Sequence, residues 1–293
     1  MLVLHGCDLR HLRRAGRLLT LRVRLRGPNG VERGVATAGL IVTEGGVCVQ
    51  ALDVERLTLP DGYELLLPVE PPEVWCAGVT YERSRDARIE ESAVEDVYSL
   101  VYDADRPELF LKDAAGRRTV GPGQPIGIRS DSSWNVPEPE IGLVLGDDGE
   151  IAGVTIGNDV SSRDIEGANP LYLPQAKVYA GACALGPALL TPLPDEPFEI
   201  RMRILGEAGE ELFSGETSTA RMKRSFGELI EFLVRDNPVP AGSVLLTGTG
   251  LVPPDDFTLE PGHLVEIEVP SIGILSNPVV LATSLLERRA AHV

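Results

Sequence analysis

Hydrophobic and polar residues alternate along the first part of the chain. Between residues 17 and 26, apolar side chains alternate with arginines, which is the period of a strand with one buried face. Prolines at 68, 71 and 72 then interrupt the pattern, because proline cannot donate to a sheet ladder. We therefore predict a small β-rich N-terminal domain over residues 1–70 and a catalytic domain over residues 71–293. Further strands of the first domain are expected near residues 35–42, 47–52 and 63–67.

The larger part of the chain continues as short strands with few helical segments. Helical periodicity is seen in residues 84–102, which could form a mobile lid, and in residues 225–235, where Ser225 is a suitable cap. This balance predicts a mainly β fold with a few helices, in the α+β class. Strand-like runs occupy residues 74–80, 108–112, 141–145, 151–158, 199–205, 210–216, 244–247, 264–269 and 274–280.

Two glutamates introduce one of these strands, in the stretch WNVPEPEIGLVL. Alternate residues of a strand point to the same face, so Glu138 and Glu140 project together. Two like charges at this spacing repel one another, and their burial without a partner costs several kcal/mol. The pair therefore either faces water or holds a cation.

A predicted hairpin brings a third carboxylate to this pair. A turn at residues 147–149 reverses the chain, and the return strand ends beside Asp159. Three carboxylates form a hard oxygen site that suits Mg²⁺, Mn²⁺ or Ca²⁺, whereas zinc prefers His or Cys. The four histidines, at positions 5, 11, 263 and 292, lie far from this cluster in sequence.

Charge and composition narrow the class of protein. The net charge of −17 argues against nucleic-acid partners, because an acidic chain repels phosphate. No apolar run approaches the ~20 residues needed to cross a bilayer, and the N-terminal apolar stretch is too short for a secretory signal. We therefore expect no membrane partner and a cytoplasmic location. The four cysteines show no metal or disulfide spacing and are expected to be buried thiols.

Lysine is rare in this chain, which has 24 arginines but only Lys112, Lys177 and Lys223. Arginine cannot lose its proton near neutral pH, whereas a desolvated lysine can. The retained lysines are therefore candidates for acid–base chemistry, although retention by chance is the alternative.

The carboxylate spacing, together with NDVSSRD and the later TGTG of residues 247–250, resembles the fumarylacetoacetate hydrolase family over about residues 74 to 280. The stretches RPELFLK, RSDSSWNVPEPE and NPLYLPQAKVYAG are most similar to its 2-keto-3-deoxy-D-arabinonate dehydratase branch. The resemblance implies the family's largely β catalytic fold and a bound Mg²⁺, with Mn²⁺ or Ca²⁺ as alternatives. It also implies that Glu138, Glu140 and Asp159 are the metal ligands.

The resemblance makes Lys177 and Glu108 the acid and base candidates, without saying which is which. Each of these two could instead form a structural salt bridge, Lys112 could pair with an acid, and Thr249 could belong to an ordinary strand-ending turn. Arg163 is expected to orient Asp159 or the lid. The residues expected to contact substrate are Lys112, Thr249, Gly248, Tyr81 and Ser84.

One departure from the family pattern indicates the reaction. Many hydrolases of the family carry a water-activating His three residues after a lid Tyr, and here Ser84 stands at that place. We therefore expect a hydro-lyase that dehydrates a 2-keto-3-deoxy sugar acid, such as 2-keto-3-deoxy-D-arabinonate or a related pentonate, to 2,5-dioxopentanoate through a metal-stabilised enolate. The alternatives are an acylpyruvate or fumarylacetoacetate-type C–C hydrolase, an oxaloacetate decarboxylase, and a non-catalytic metal-binding protein. The resemblance also suggests a homodimer or homotetramer.

Overall fold

The computed structural model of the chain describes residues 19–82 and 100–290, and two β-sheets make up most of this part. The predicted class, mainly β with a few helices, is confirmed. The α-helices are α1 (Arg163–Ala168), α2 (Leu173–Lys177), α3 (Phe226–Val234) and α4 (Ala282–Ala290). The strands are β1 (Thr20–Gly27), β2 (Gly30–Thr37), β3 (Leu40–Thr43), β4 (Cys48–Gln50), β5 (Glu64–Leu65), β6 (Glu73–Gly78), β7 (Glu108–Ala114), β8 (Thr119–Val120), β9 (Ile126–Ile128), β10 (Asn135–Val136), β11 (Pro139–Leu145), β12 (Ile151–Asp159), β13 (Ser161–Ser162), β14 (Cys183–Thr191), β15 (Glu199–Leu205), β16 (Glu211–Ser218), β17 (Val244–Leu246), β18 (Leu264–Val269) and β19 (Gly273–Leu281).

The larger sheet has 12 strands, in the order β4-β3-β2-β1-β14-β12-β11-β17-β6-β7, with β5 beside β1 and β8 beside β14. The N-terminal strands extend this sheet, since β1 pairs antiparallel with β14 and places Leu21 opposite Leu190. The sheet therefore runs across the proposed boundary at residue 70. The division into two domains stays a prediction.

The second sheet, in the order β16-β15-β18-β19-β9, packs against β11 and β12. Residues of β15 alternate between exposed and buried, as expected for a sheet with one face in water. Helix α3 lies beside this core, and Ser225 caps it by accepting a hydrogen bond from Glu228 N, as predicted. The core residues of these elements include Ile141, Leu143, Val154, Ile156, Ile200, Met202, Ile204, Leu229, Leu233, Val265 and Ile267.

Strand β11 is buried along its whole length because both of its faces are covered. Ile141 and Leu143 point into the core shared with the second sheet, whereas Val144 points into a smaller apolar cluster that includes Cys76 and Cys183. By strand alternation Glu140 lies on the same face as Val144. This glutamate therefore stands at the edge of a small hydrophobic core.

Several elements differ from the predictions or extend them. Strand β14 and helices α1 and α2 were not predicted, and both helices have only five or six residues. A helix is predicted at residues 84–102. Residues 100–102 of this segment are helical, and residues 83–99, including Ser84, lie outside the described residues. Among the residues that the structure describes, no helix is long and apolar enough to cross a membrane.

Candidate active site

Three carboxylates meet at the end of the β11–β12 hairpin. Glu138, Glu140 and Asp159 each place one carboxylate oxygen within 4.8 Å of the others. The register explains this convergence: Glu140 pairs with Gly157, and Asp159 N donates to Glu138 O at 3.0 Å. All three residues are at most 3% exposed. The predicted proximity of Asp159 to the glutamate pair is confirmed, and the cluster does not face water.

Glu140 is a buried carboxylate with two other carboxylates beside it. Burial, and then the charges of Asp159 and Glu138, raise the pKa of Glu140 well above its ordinary value. The Lys177 ammonium and the Gly248 N–H act in the opposite direction, and Gly248 N donates to Glu140 Oε2 at 2.6 Å. A bound proton or a cation would relieve the repulsion among these carboxylates.

Gly248 can approach Glu140 closely because it lacks a side chain. It has a φ of +87°, and a Cβ at this position would lie 2.0 Å from Thr80 Oγ1. Thr80 Oγ1 in turn donates to Thr247 O at 2.7 Å, which fixes the turn. The N–H of Gly248 is thus directed at a carboxylate of the cluster.

Lys177 lies directly against the carboxylates, at the last position of α2. Its Nζ donates to Glu138 Oε2 at 2.7 Å, to Asp159 Oδ2 at 3.1 Å and to Ser161 Oγ at 2.6 Å. The side chain is 1% exposed. A buried ammonium needs such partners, because an uncompensated charge away from water is strongly unfavourable.

Two further cations complete the cluster. Lys112 is fully buried, is ion-paired with Asp159, and donates to Val160 O at 2.9 Å. Arg163 Nη2 lies 3.0 Å from Glu138 Oε1, whereas we expected Arg163 to orient Asp159 or the lid, and residues 83–99 of the lid lie outside the described residues. Three carboxylates are therefore matched by three basic side chains, all of them buried.

The other predicted site residues lie around this cluster. Thr249 Oγ1 donates to Leu251 O at 3.0 Å, which favours the strand-ending turn that was its alternative. Tyr81 is 1% exposed, and burial together with the charge of Glu140 raises the pKa of its phenol. Glu108 begins β7 opposite Gly78 and shares a strand face with Phe110, whose ring lies 5.7 Å from Lys177 Nζ.

Sequence reasoning missed three residues that contact the cluster or lie beneath it. Ser161 bonds Lys177, and Asn158 Oδ1 accepts from Glu138 N at 3.1 Å. Strand alternation could have placed Ser161 on the face of Asp159, two residues away. Cys76 lies below the carboxylates, where burial and the charges of Asp159 and Glu140 raise the pKa of its thiol.

The residues present fit a hard divalent cation. The donors are all carboxylate oxygens, which Mg²⁺ prefers, and they are already brought together by the fold. Within the part of the chain that the structure describes, Glu138 and Asp159 have ion-pair partners and Glu140 has none, and burial with the neighbouring carboxylates raises the pKa of Glu140. A divalent cation would supply positive charge beside Glu140.

Comparison with known proteins relates the chain to one family and to two dehydratases. Residues 73–280 match the profile of the fumarylacetoacetate (FAA) hydrolase C-terminal family. A probable 2-keto-3-deoxyxylonate dehydratase of Haloferax volcanii is 53% identical over 215 residues, which are 73% of this chain and 74% of that protein. The 2-dehydro-3-deoxy-D-arabinonate dehydratase of Saccharolobus solfataricus is 47% identical over 221 residues, 72% of this chain and 73% of that protein.

A solved structure shows the same fold. It is 2-keto-3-deoxy-D-arabinonate dehydratase complexed with magnesium and 2,5-dioxopentanoate, with a TM-score of 0.73 and 33% sequence identity, covering 88% of this chain and 98% of that one.

Proposed function

The chain belongs to the fumarylacetoacetate hydrolase family, and on that premise we propose that it is a Mg²⁺-dependent hydro-lyase that converts a 2-keto-3-deoxypentonate to 2,5-dioxopentanoate. The observation that carries the proposal is the buried carboxylate triad with Lys177 in hydrogen-bond contact. Two dehydratases at 47% and 53% identity support it, as does a solved relative with magnesium and 2,5-dioxopentanoate bound.

The names of the two relatives describe one substrate. Arabinonate and xylonate differ only at C2 and C3, and both stereocentres are lost when C2 becomes a ketone and C3 a methylene. The D-series 2-keto-3-deoxypentonates are therefore the same molecule, with C4 as its remaining stereocentre. We propose this compound as the substrate of the present chain.

Glu138, Glu140 and Asp159 would hold the metal. When bound, Mg²⁺ would stabilise the negative charge that develops on the keto oxygen of the substrate and so acidify the C3 hydrogens. Gly248 orients Glu140 through its N–H, and Lys112 and Arg163 hold Asp159 and Glu138 from the protein side.

The charge count of the cluster supports Lys177 as the base. The three carboxylates are already balanced by Lys112, Lys177 and Arg163. A divalent cation adds two positive charges, the substrate carboxylate cancels one, and release of the Lys177 proton cancels the other. A neutral Lys177 could then remove a proton from C3.

Glu108 is then the proposed acid that protonates the leaving C4 hydroxyl. The reaction removes one water, and further proton transfers convert C5 to an aldehyde, so that C3 and C4 both end as methylenes. Glu108 shares a strand face with Phe110, whose ring centroid lies 5.7 Å from Lys177 Nζ. This placement of both candidates beside Phe110 supports their assignment as a pair.

We also propose that the protein is cytoplasmic and forms a homodimer or homotetramer. Strand β7 ends the order of the larger sheet, and Leu111 on it is 41% exposed. Exposed apolar edge strands commonly pair with another chain. Light scattering on the purified protein tests the oligomeric state.

The reaction can be tested with the purified protein, Mg²⁺ and 2-keto-3-deoxy-D-arabinonate, with the C4 enantiomer as the stereochemical control. We expect a product lighter by one water with an unbroken carbon chain, and incorporation of deuterium when the solvent is D₂O. Pyruvate or another three-carbon fragment would instead indicate C–C cleavage, and the hydrolase alternative would replace the dehydratase. Parallel incubations with acylpyruvates and oxaloacetate test the remaining alternatives.

A further inference from the structure

The third lysine of the chain lies outside the carboxylate cluster, in a segment that joins two distant parts of the backbone. Residues 222–224, which we call the anchor, precede α3. Met222 forms an isolated antiparallel bridge with Tyr81, and Lys223 N donates to Thr80 O at 3.0 Å. The anchor therefore fixes the backbone at Tyr81, which lies beside the site.

The side chains of the anchor bind a second stretch of backbone. Lys223 Nζ donates to Tyr102 O at 2.6 Å and to Asp103 Oδ1 at 2.7 Å, and lies 4.1 Å from the Tyr102 ring centroid. The planar guanidinium of Arg224 binds carbonyl oxygens of the same stretch of backbone. Its Nη2 donates to Ala104 O at 2.5 Å and, at 3.5 Å, to the carbonyl of residue 101, and its Nη1 lies 3.5 Å from the carbonyl of residue 105.

The Arg224 side chain is buried and held by contacts on both sides. Its side chain is 6% exposed, and Nη1 lies 2.5 Å from Glu228 Oε1 on the first turns of α3. A guanidinium donates in a fixed plane to several acceptors at once, which a lysine cannot do. The stretch it holds leads directly into β7, which begins at Glu108 three residues after Asp105.

We propose that Lys223 and Arg224 are positioning residues for the reaction, a role that rests on the proposed function. They hold the backbone at Tyr81 and the backbone leading to Glu108 on one short segment, and so fix the distance between these two parts of the site. Neither side chain contacts the carboxylate cluster in the described structure. Because the contacts to Thr80 and Tyr81 come from the backbone of the anchor, loss of these two side chains should disturb the stretch leading to Glu108 and its distance from Tyr81, while the metal ligands stay in place.

Arg224→Met is the main test, and Arg235→Met is its matched control. Both arginines form an i,i+4 pair on or beside α3, but Arg235 pairs with Glu231, lies over the Phe232 ring of the same helix and is 45% exposed. We expect Arg224→Met to lower kcat on the order of tenfold to a hundredfold, the usual cost of a small misplacement of reacting groups. The Mg²⁺ affinity should stay within about twofold, and amide hydrogen exchange should become faster in residues 101–108. Arg235→Met should match the wild type in all three measurements.

A wild-type kcat and wild-type exchange in Arg224→Met would overturn the proposal. A parallel fall in Mg²⁺ affinity would also overturn it, because it would indicate general loss of structure. If Arg224→Met does not fold, Lys223→Met replaces it, since that side chain is 34% exposed. In combination with Glu108→Gln, a positioning role predicts that the losses in kcat are less than additive, whereas additive losses contradict it. The exchange measurement does not depend on the reaction, so it still tests the anchor if the proposed substrate is not turned over.

Discussion

Replacement of Lys177 by methionine should make the protein bind Mg²⁺ more tightly while it abolishes turnover. The Lys177 ammonium bonds Glu138 and Asp159, two of the three proposed ligands. A cation that binds these oxygens must displace the ammonium or accept its repulsion. Methionine is similar in length and carries no charge, so it removes this competitor without leaving a large cavity.

The size of the effect follows from the contacts. A hydrogen bond between charged groups contributes about 1.5–3 kcal/mol, and a unit charge ~5 Å from a divalent cation interacts with it by ~7 kcal/mol at an effective dielectric constant of about 20. If about a third of this repulsion persists in the wild-type complex, its removal is worth ~2 kcal/mol. This corresponds to Mg²⁺ binding about tenfold to a hundredfold tighter. The metal-free variant should lose ~3–5 kcal/mol of stability, since its buried carboxylates lose a partner.

Isothermal titration of Mg²⁺ at about pH 8, where protons compete little with the metal, measures the affinity. Thermal unfolding in EDTA and in excess Mg²⁺ measures the stability, and the gain from Mg²⁺ should be larger in the variant. Lys177→Arg is the control, because it keeps the positive charge but cannot release its proton near neutral pH. It should also be inactive, yet bind Mg²⁺ no more tightly than the wild type. Equal or weaker Mg²⁺ binding by Lys177→Met would refute the reasoning.

Three further results are expected. Glu138→Gln, Glu140→Gln and Asp159→Asn should each weaken Mg²⁺ binding by at least about tenfold and abolish turnover; full activity in EDTA would contradict the metal site. Burial and the neighbouring charges raise the pKa of Glu140 in the folded protein above its ordinary value of 4.5. Protonated Glu140 therefore stabilises the metal-free protein fully below about pH 4.5, and this stabilisation is lost as the pH rises through the pKa of the folded state. The rise in melting temperature caused by Mg²⁺ should therefore increase with pH, and a constant rise would contradict the pKa argument. Gly248→Ala should lower the free energy of unfolding by well over about 1 kcal/mol, because the new Cβ would lie 2.0 Å from Thr80 Oγ1. Adding Thr80→Ser to this variant keeps the clashing hydroxyl and should not help. Adding Thr80→Ala removes the hydroxyl and should restore part of the stability, as measured by thermal unfolding.

The hairpin and its carboxylates could be predicted because they depend on local patterns. Strand alternation and a turn of known length were enough to bring Asp159 to Glu140. Helix α2 could not be predicted, since five residues are too few to show a helical period. Strand β14 contains Gly186 and Pro187, which resemble a turn signal in sequence.

The partners of the basic residues could not be predicted for a different reason. Arg163 follows Asp159 closely in sequence, yet it reaches Glu138, which immediately precedes β11. Lys112 could equally have bound a ligand or an acid, and only the approach of its side chain from β7 to Asp159 and Val160 in the folded chain decides for Asp159. Side-chain pairing of this kind depends on distances between strands that are remote in sequence.

The matching of three buried acids with three buried bases also restricts how this site can evolve. A single substitution among the five ion-paired residues, which are Glu138, Asp159, Lys112, Arg163 and Lys177, removes at least one buried ion pair, which is costly. Related enzymes that change this cluster should therefore change it in compensating pairs, whereas new substrate preferences should arise from residues around it. Libraries designed to alter specificity would accordingly keep the six residues fixed and vary their neighbours.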